Sequence, residues 1–228
     1  MKDGPDIAFV SSMIGDPARA NMLLGLMDGG SLSAGELAEE AGLALSTTSW
    51  HLGKLQEAGL IAARKDGRNK FFSIADAQVA ELLEQLMTVS SHLGHTRQRP
   101  SSKAAQLKEC RVCYDHLAGA KGVWFYQQMR AQKYLTGGEE WLRLTHEGHV
   151  FSTSLGINLE KLDNAKRPVC KPCLDWSEGS YHLGGALGAS FLNRFIELNW
   201  VRREASGRGL SVSPKGEVAL RELFPRQS

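Results

Sequence analysis

Apolar positions in the first part of the chain recur with helical spacing, and capping signals divide them into segments. Asp16 and Pro17 open one helix, because aspartate is a preferred N-cap and proline fits the first helical turn. Ser33 and Glu36 have the spacing of a capping box and open a second helix. A short turn then leads to a third helix over about residues 46–58.

One hairpin and a last helix follow. Residues 60–64 and 70–74 are short runs typical of strands, and Asp66-Gly67 between them is a hairpin turn signal. From residue 77 to 94 an apolar stripe returns at helical spacing. The stripe is too long for one small domain to cover, so we expect part of it to join two copies of the chain. That part is Leu82, Leu86, Val89 and Leu93.

The order helix, turn, helix, hairpin predicts a winged helix-turn-helix domain. Its core is expected to contain Leu37, Ala38, Ala41, Leu52 and Leu55, with Trp50 partly packed against it. The other side of the third helix and the hairpin wing carry small hydroxyl, histidine and basic side chains, which contact phosphates and base edges when a helix N-terminus enters a major groove. These candidate DNA-binding residues are Ser46, Thr47, Thr48, Ser49, His51, Lys54, Arg64, Arg68 and Lys70.

Two segments of this domain resemble the ArsR/SmtB family of bacterial repressors. They are STTSWHLGKLQEAGLI at 46–61 and RKDGRNKFFSI at 64–74. The resemblance covers about residues 10–95. It implies a homodimer, joined through its first and last helices, that binds a palindromic operator in duplex DNA and leaves it when an inducer is sensed. The family's familiar metal positions are not matched, because residues 36–42 hold no thiol and Gln78 and Val89 stand where histidines are expected.

The second half of the chain contains an internal repeat. Residues 110–115 match 170–175, and residues 116–125 match 182–191 with six identities in ten positions. Each copy is expected to run cysteine motif, helix, strand, turn, strand, helix, which is a fragment of a winged helix. Glycines in the expected helices favour close packing of the copies around a pseudo-two-fold axis. These glycines are Gly119, Gly122, Gly185 and Gly188.

These patterns predict an α+β chain, mainly α with small β-hairpin wings. An N-terminal winged helix-turn-helix domain is followed by a C-terminal domain of two degenerate winged-helix-like repeats. The polar segment TRQRPSSKAAQLK separates them. The expected organisation is a DNA-binding and dimerisation domain at 1–95, a linker at 96–108, and a sensor domain at 109–228 with repeats over about 110–160 and 170–226.

Four cysteines occur as two C-x₂-C pairs, Cys110 with Cys113 and Cys170 with Cys173. Three interpretations stay open: a redox or electrophile sensor in which each pair closes a disulfide, a Cys₄ site for zinc or another thiophilic metal, and plain packing. Four further residues occupy matched places in the two copies of the repeat. The favoured interpretation is a role at a helix start, as a cap or in packing, and metal ligation is the alternative. The four residues are His116, His182, Asp115 and Asp175.

Composition and charge indicate what class of protein this is and where it could contact DNA. With 42% hydrophobic and 23% charged residues the chain is ordinary globular protein, and its N-terminus lacks the apolar core of a signal peptide, so we expect a cytoplasmic location without a membrane partner. Residues 1–95 carry 7 Lys/Arg against 12 Asp/Glu, yet five of those seven bases fall between Lys54 and Lys70. Such local clustering is what phosphate contact needs.

We therefore expect a transcriptional repressor, released from its operator when cysteines sense a redox, electrophile or metal signal. The sequence establishes no cofactor, and the candidate is zinc or another thiophilic metal. One alternative is a repressor with a structural zinc site and an organic inducer. A less favoured one is a thiol oxidoreductase fused to a DNA-binding module. Because no G-x-S-x-G, P-loop or dinucleotide fingerprint occurs, the chain is not expected to be an enzyme.

Overall fold

A computed structural model of the chain describes residues 4–27, 30–95, 102–164, 167–204 and 208–224. The chain divides into two compact units, Met1–Leu83 and Glu84–Ser228. The boundary between them falls inside the last helix of the winged-helix order rather than at residue 95. Among the described helices, none is both long and apolar enough to cross a membrane.

The first unit has the predicted helix-turn-helix and hairpin, with one additional helix before them. Its elements, including the helix that crosses the boundary, are α1 (Ile7–Gly15), α2 (Pro17–Gly25), β1 (Leu32–Ser33), α3 (Ala34–Ala41), α4 (Leu45–Glu57), β2 (Ile61–Asp66), β3 (Asn69–Ile74) and α5 (Ala77–His92). The antiparallel strands β2 and β3 form the wing, and the two-residue strand β1 pairs with β3. Helix α1 was not predicted from the sequence.

Side chains at the helix starts confirm the predicted caps. The carboxylate of Asp16 accepts hydrogen bonds from the backbone N–H groups of Ala18 and Arg19 at the start of α2. Ser33 and Glu36 form the reciprocal capping box at the start of α3. In the wing, Asp66 pairs with Asn69, so the turn lies one residue later than predicted, at Gly67-Arg68.

The predicted core of the helix pair is also confirmed. Leu37, Leu52 and Leu55 are at most 1% exposed, Ala38 is buried and Ala41 is half-buried. Burial of this apolar stripe fixes which face of α4 points outward, because residues three and four apart share one face of a helix.

The second unit contains two stretches with the same order of elements. After α6 (Ser102–Glu109) these are β4 (Arg111–Cys113), β5 (His116–Ala118), α7 (Ala120–Ala131), β6 (Leu135–Gly137), β7 (Leu142–Leu144) and α8 (His146–Ser154), then α9 (Leu159–Asp163), and β8 (Lys171–Leu174), β9 (Tyr181–Gly184), α10 (Gly185–Glu197), β10 (Val201–Arg203), β11 (Leu210–Val212) and α11 (Pro214–Glu222). All four strand pairs are antiparallel hairpins.

Two expectations for this half are corrected. Each cysteine motif is followed by a β-hairpin, not directly by a helix, because three- and four-residue strands are too short to show a period of two. Residues 102–108 of the expected linker belong to α6, while its residues 96–101 lie outside the described part of the chain.

The two stretches interlock through glycine. Helix α7 packs against β9 of the second stretch, and α10 packs against β5 of the first. Across the two stretches, a Cβ at Gly188 of α10 would lie 3.1 Å from the Cβ of His116 on β5, and one at Gly122 of α7 would lie 3.5 Å from the Cβ of His182 on β9. Each added Cβ would also meet the backbone carbonyl of the strand before its own helix, at Leu183 and Leu117. The close approach is thus of a helix to a hairpin. Gly119 and Gly185 stand at helix starts with positive φ, not in helix interiors.

Candidate functional site

The N-terminal half of α4 and the wing form the candidate DNA-binding surface. Ser46, Thr47 and Ser49 are exposed on α4, and Lys54 is half-buried near its end. Arg64, Arg68 and Lys70 are exposed on the wing, as the sequence predicted. The structure therefore leaves seven of the nine predicted side chains accessible to a ligand.

The structure corrects the prediction that Thr48 and His51 face DNA, because both side chains are buried beneath this surface. Thr48 is 0% exposed and its hydroxyl donates to the Ala44 carbonyl. His51 is 9% exposed, and its Nδ1 lies 3.7 Å from the carboxylate of Asp16. Both residues lie three or four positions from Leu52 or Leu55 and so share the core face of α4. The same periodicity in the sequence could have excluded them.

Trp50 was expected to pack partly against the core, but its side chain is 58% exposed. Leu45, at the first position of α4, is 55% exposed as well. Two large apolar side chains thus border the candidate DNA-binding surface, and neither was predicted to lie there.

Three of the basic side chains on this surface have nearby polar or acidic partners, and these interactions are weak. Lys54 lies 2.8 Å from the Glu57 carboxylate, Lys70 donates to Gln56, and Arg64 is 3.6 Å from Asp66. Ion pairs between exposed side chains contribute at most about 1 kcal/mol. A phosphate group can therefore replace these partners at little cost.

The second unit holds a compact group of four potential metal ligands. Cys113, His116, Cys173 and His182 place one ligand atom each within 4.8 Å of all the others. It is the only such group among the residues that the structure describes. We call it the Cys₂His₂ cluster.

Strand register explains how the cluster assembles. Cys113 pairs with His116 across the β4–β5 hairpin, and Cys173 pairs with His182 across β8–β9. Side chains of directly opposed residues project from the same face of a hairpin. Since β5 and β9 pack together, the two cysteine–histidine pairs meet. The Cys113 and Cys173 sulfurs are 3.8 Å apart, and the Nε2 atoms of the two histidines are 3.1 Å apart.

Each histidine in the cluster has a carboxylate beside its other ring nitrogen. Nδ1 of His116 lies 3.2 Å from Asp115, and Nδ1 of His182 lies 3.1 Å from Asp175. Arginines hold these carboxylates in turn: Arg167 lies 2.6 Å from Asp115, and Arg111 lies 2.7 Å from Asp175. The Arg111–Asp175 pair is completely buried.

The surroundings set the protonation of the cluster. Burial raises the pKa of the Cys113 thiol, and the adjacent Cys173 and Glu84 raise it further. The hydrogen bond from Cys113 lowers the pKa of Cys173 against the effect of burial, and the two histidines add to this lowering. For His116, burial lowers the pKa, but Asp115 and Cys173 outweigh it and raise the value to about 9. Cys173 is therefore the thiol most easily ionised.

Cys110 and Cys170 lie outside the cluster, so the expected Cys₄ arrangement is wrong for this structure. Burial raises the pKa of each of these thiols to about 12. The two sulfurs that approach each other belong to different C-x₂-C motifs, and all four cysteines are free thiols.

The expected helix-cap roles are also corrected. His116 and His182 lie on strands, Asp115 and Asp175 lie in the hairpin loops, and glycines occupy the N-cap positions of α7 and α10. The missed signal was in the repeat itself, in which each cluster cysteine and each cluster histidine has a counterpart.

A buried carboxylate connects α5 with this cluster. Glu84 on α5 is 5% exposed, contributes to the raised pKa of Cys113, and lies 3.4 Å from Arg208. Glu84, Cys113 and Arg208 all belong to the second compact unit. The backbone N–H of Val112, next to Cys113, donates to the Arg208 carbonyl, so a hydrogen bond and an ion pair connect the strand that carries Cys113 with α5.

Comparison with known proteins identifies relatives among helix-turn-helix regulators. The helix-turn-helix domain family matches residues 14–64. YdfF of Bacillus subtilis, an HTH-type transcriptional regulator, is 38% identical over 216 residues, which cover 95% of this chain and 96% of that protein. The HTH-type transcriptional regulator CmtR of Mycobacterium tuberculosis is 35% identical over 83 residues, which cover 36% of this chain and 70% of CmtR.

Among solved structures, the chain matches the homodimeric winged helix-turn-helix DNA-binding domain Mb0332 of Mycobacterium bovis, described as a possible ArsR-family regulator. The identity is 27%, and the match covers 43% of this chain and 99% of that one, with a TM-score of 0.36.

Proposed function

The chain belongs to the same family of HTH-type transcriptional regulators as YdfF, and from this premise we propose that it is a dimeric repressor that leaves its operator when Cys113 and Cys173 react. The observation that carries the proposal is the exposed hydroxyl face of α4 beside a basic wing in the first unit. The repeated element order of the second unit supports a duplicated winged-helix-like origin for the sensor domain.

DNA contact follows from the chemistry of the candidate surface. Ser46 and Thr47 stand at the exposed N-terminal turn of α4, the part of a recognition helix that meets base edges in the major groove. Arg64, Arg68 and Lys70 extend from the wing, where cations meet the flanking phosphates. The two groups of side chains thus divide into sequence recognition and backbone anchoring.

Dimerisation follows from the apolar stripe on and just beyond α5. Leu82, Leu86, Val89 and Leu93 are 36%, 40%, 53% and 62% exposed. A continuous row of half-exposed aliphatic side chains is unfavourable in water and typical of a surface that another chain covers. Two copies joined there would present two α4 helices to half-sites about one DNA turn apart, roughly 34 Å.

The thiol signal follows from the contact between the two sulfurs. Cys113 and Cys173 are 3.8 Å apart, and Cys173 ionises most easily, so an oxidant or electrophile reacts there first. Cys110 and Cys170 stay protonated, and we propose that they act as packing residues.

Selection from a random duplex pool, followed by quantitative gel shifts, tests DNA binding. Arg68→Ala should weaken binding to all sequences and reduce the salt dependence by about one phosphate contact. Thr47→Ala should change sequence preference. Lys161→Ala, an exposed lysine on α9, is the matched charge control and should have no effect. Recovery of no fragment by the full chain would overturn the proposal.

Sedimentation of Leu86→Asp tests the dimer. The variant should be monomeric and lose operator affinity, because each half-site is then bound independently. Val218→Asp places the same charge on an exposed aliphatic position of α11, outside the stripe, and should remain dimeric. A dimeric Leu86→Asp variant would place the interface elsewhere.

A further inference from the structure

We propose that Cys113, His116, Cys173 and His182 bind one zinc ion in a closed tetrahedral site at the junction of the two hairpins. We propose further that oxidation of its two thiolates expels the ion and releases DNA. The second statement rests on the proposed repressor function, whereas the first does not.

The sulfur–sulfur and nitrogen–nitrogen distances within the cluster match a tetrahedral ion. Zinc binds thiolate sulfur at about 2.3 Å and imidazole nitrogen at about 2.0–2.1 Å. Tetrahedral angles then require sulfurs about 3.8 Å apart and nitrogens about 3.3 Å apart. The Cys113–Cys173 sulfur distance is 3.8 Å, and the Nε2–Nε2 distance of the two histidines is 3.1 Å.

The histidines are oriented as metal ligands are. A ligating imidazole characteristically has a carboxylate or carbonyl partner at its second nitrogen, which fixes the ring and the tautomer. Asp115 is hydrogen-bonded to Nδ1 of His116, and the Asp175 carboxylate lies 3.1 Å from Nδ1 of His182 without hydrogen-bond geometry. Both Nε2 atoms are directed at each other. Two imidazoles facing through the same nitrogen have one good hydrogen bond at most, and an ion between them satisfies both.

The donor set and burial favour zinc in a structural or regulatory role. Two thiolates and two imidazoles form a Cys₂His₂ set without an open position for a water, unlike the three-ligand sites of zinc enzymes. His116, His182 and Cys113 are buried and only Cys173 is partly exposed. Binding requires both cysteines as thiolates and both histidines as neutral imidazoles, so every proton on the four ligand atoms leaves. Zn²⁺ and two thiolates are then electrically neutral together.

The partly exposed cysteine provides the route for an oxidant. A diazene oxidant such as diamide takes two electrons from the two thiolates and two protons from water and becomes the hydrazine. The cysteines form one S–S bond, and the ion departs because both sulfur ligands are lost. Next to Cys113, the backbone N–H of Val112 donates to the carbonyl of Arg208, whose guanidinium lies 3.4 Å from Glu84 on α5, the helix that carries the proposed dimer stripe. Loss of the ion is thereby transmitted to the dimer.

Zinc titration of the reduced full-length protein against a chromophoric chelator tests the site. The wild type should bind one ion per chain, and Cys173→Ser and His182→Gln should each lose it. The double variant Cys110→Ser/Cys170→Ser is the matched control and should retain one ion. Zero ions in the wild type, or loss in the control with retention in Cys173→Ser, would overturn the site.

Cobalt substitution keeps the test valid if a ligand variant fails to fold. Co²⁺ in the wild type should give the intense d–d bands of tetrahedral coordination and a sulfur-to-metal charge-transfer band. The weak spectrum of octahedral Co²⁺ would overturn the site without recourse to any variant.

Gel shifts on the same preparations separate the two statements. Arg68→Ala should bind zinc as the wild type does while binding DNA weakly. Diamide should release zinc and DNA together from the wild type. DNA release with zinc retained would overturn the regulatory statement alone. Failure of the zinc-loaded wild type to bind any DNA would overturn the repressor function and leave the metal site standing.

Discussion

The hairpins β4–β5 and β8–β9 present the same two side chains from differently built loops. Two residues separate Cys113 from His116, whereas eight separate Cys173 from His182. Register places each cysteine opposite its histidine in both. The pairing of the strands, and not the spacing along the chain, therefore determines the cluster.

The carboxylate and arginine beside each histidine differ more between the two hairpins than the cysteine–histidine pairing does. Asp115 and Arg167 are each about one-third exposed, while Asp175 and Arg111 are completely buried. Asp175 also accepts from the Gly119 and Ser177 backbone N–H groups, and Arg111 stacks on the Trp176 ring. The longer loop thus closes around a buried ion pair, whereas the short loop is held by its own turn and a surface pair.

The largest expected effect is on stability when the buried pair is broken. Asp175→Asn should lower the free energy of unfolding by about 3–5 kcal/mol, because it leaves the Arg111 guanidinium buried without a counter-charge. Asp115→Asn should cost at most about 1 kcal/mol, since its pair is partly solvated. Urea unfolding followed by tryptophan fluorescence measures both, as four of the five tryptophans lie in the second unit. Equal losses would show that the two hairpins are supported alike.

The next effect concerns the glycines that let each helix approach a hairpin. Gly188→Ala and Gly122→Ala should each destabilise the second unit by about 1–3 kcal/mol, because the new methyl group meets a backbone carbonyl. Gly188→Ala should be the worse of the two, with its closer contact. Gly138→Ala is the control, because no atom lies within 4 Å of a Cβ there. A neutral Gly188→Ala would mean that the helix and hairpin are not packed this closely.

How far the sequence predicted the molecule depends on the length of each element. The caps of α2 and α3 and the wing were predictable because their signals are local. The hairpins of the second unit were not, since strands of three or four residues show no alternation. The C-x₂-C spacing suggested a disulfide within each pair or a Cys₄ site, yet Cys113 lies opposite His116. That relation depends on strand register and becomes visible only after folding.

The smallest expected effect is on zinc affinity when the exposed carboxylate is changed. Asp115→Asn should weaken zinc binding about tenfold, the low end of the range for carboxylates behind metal-ligating histidines. The side chain keeps its shape but loses the charge that orients His116. Glu160→Gln, which removes an exposed carboxylate on α9, is the control. Competition with a chelator of known affinity gives the ratio, and an unchanged value would remove Asp115 from the support of the site.

Zinc K-edge X-ray absorption on the reduced, zinc-loaded full chain tests the central claim most directly. The Cys₂His₂ cluster predicts two sulfur ligands at about 2.3 Å and two nitrogen ligands at about 2.0–2.1 Å, with the outer-shell scattering of imidazole rings. A shell of four sulfurs would instead place the ion between the two C-x₂-C motifs and contradict the account.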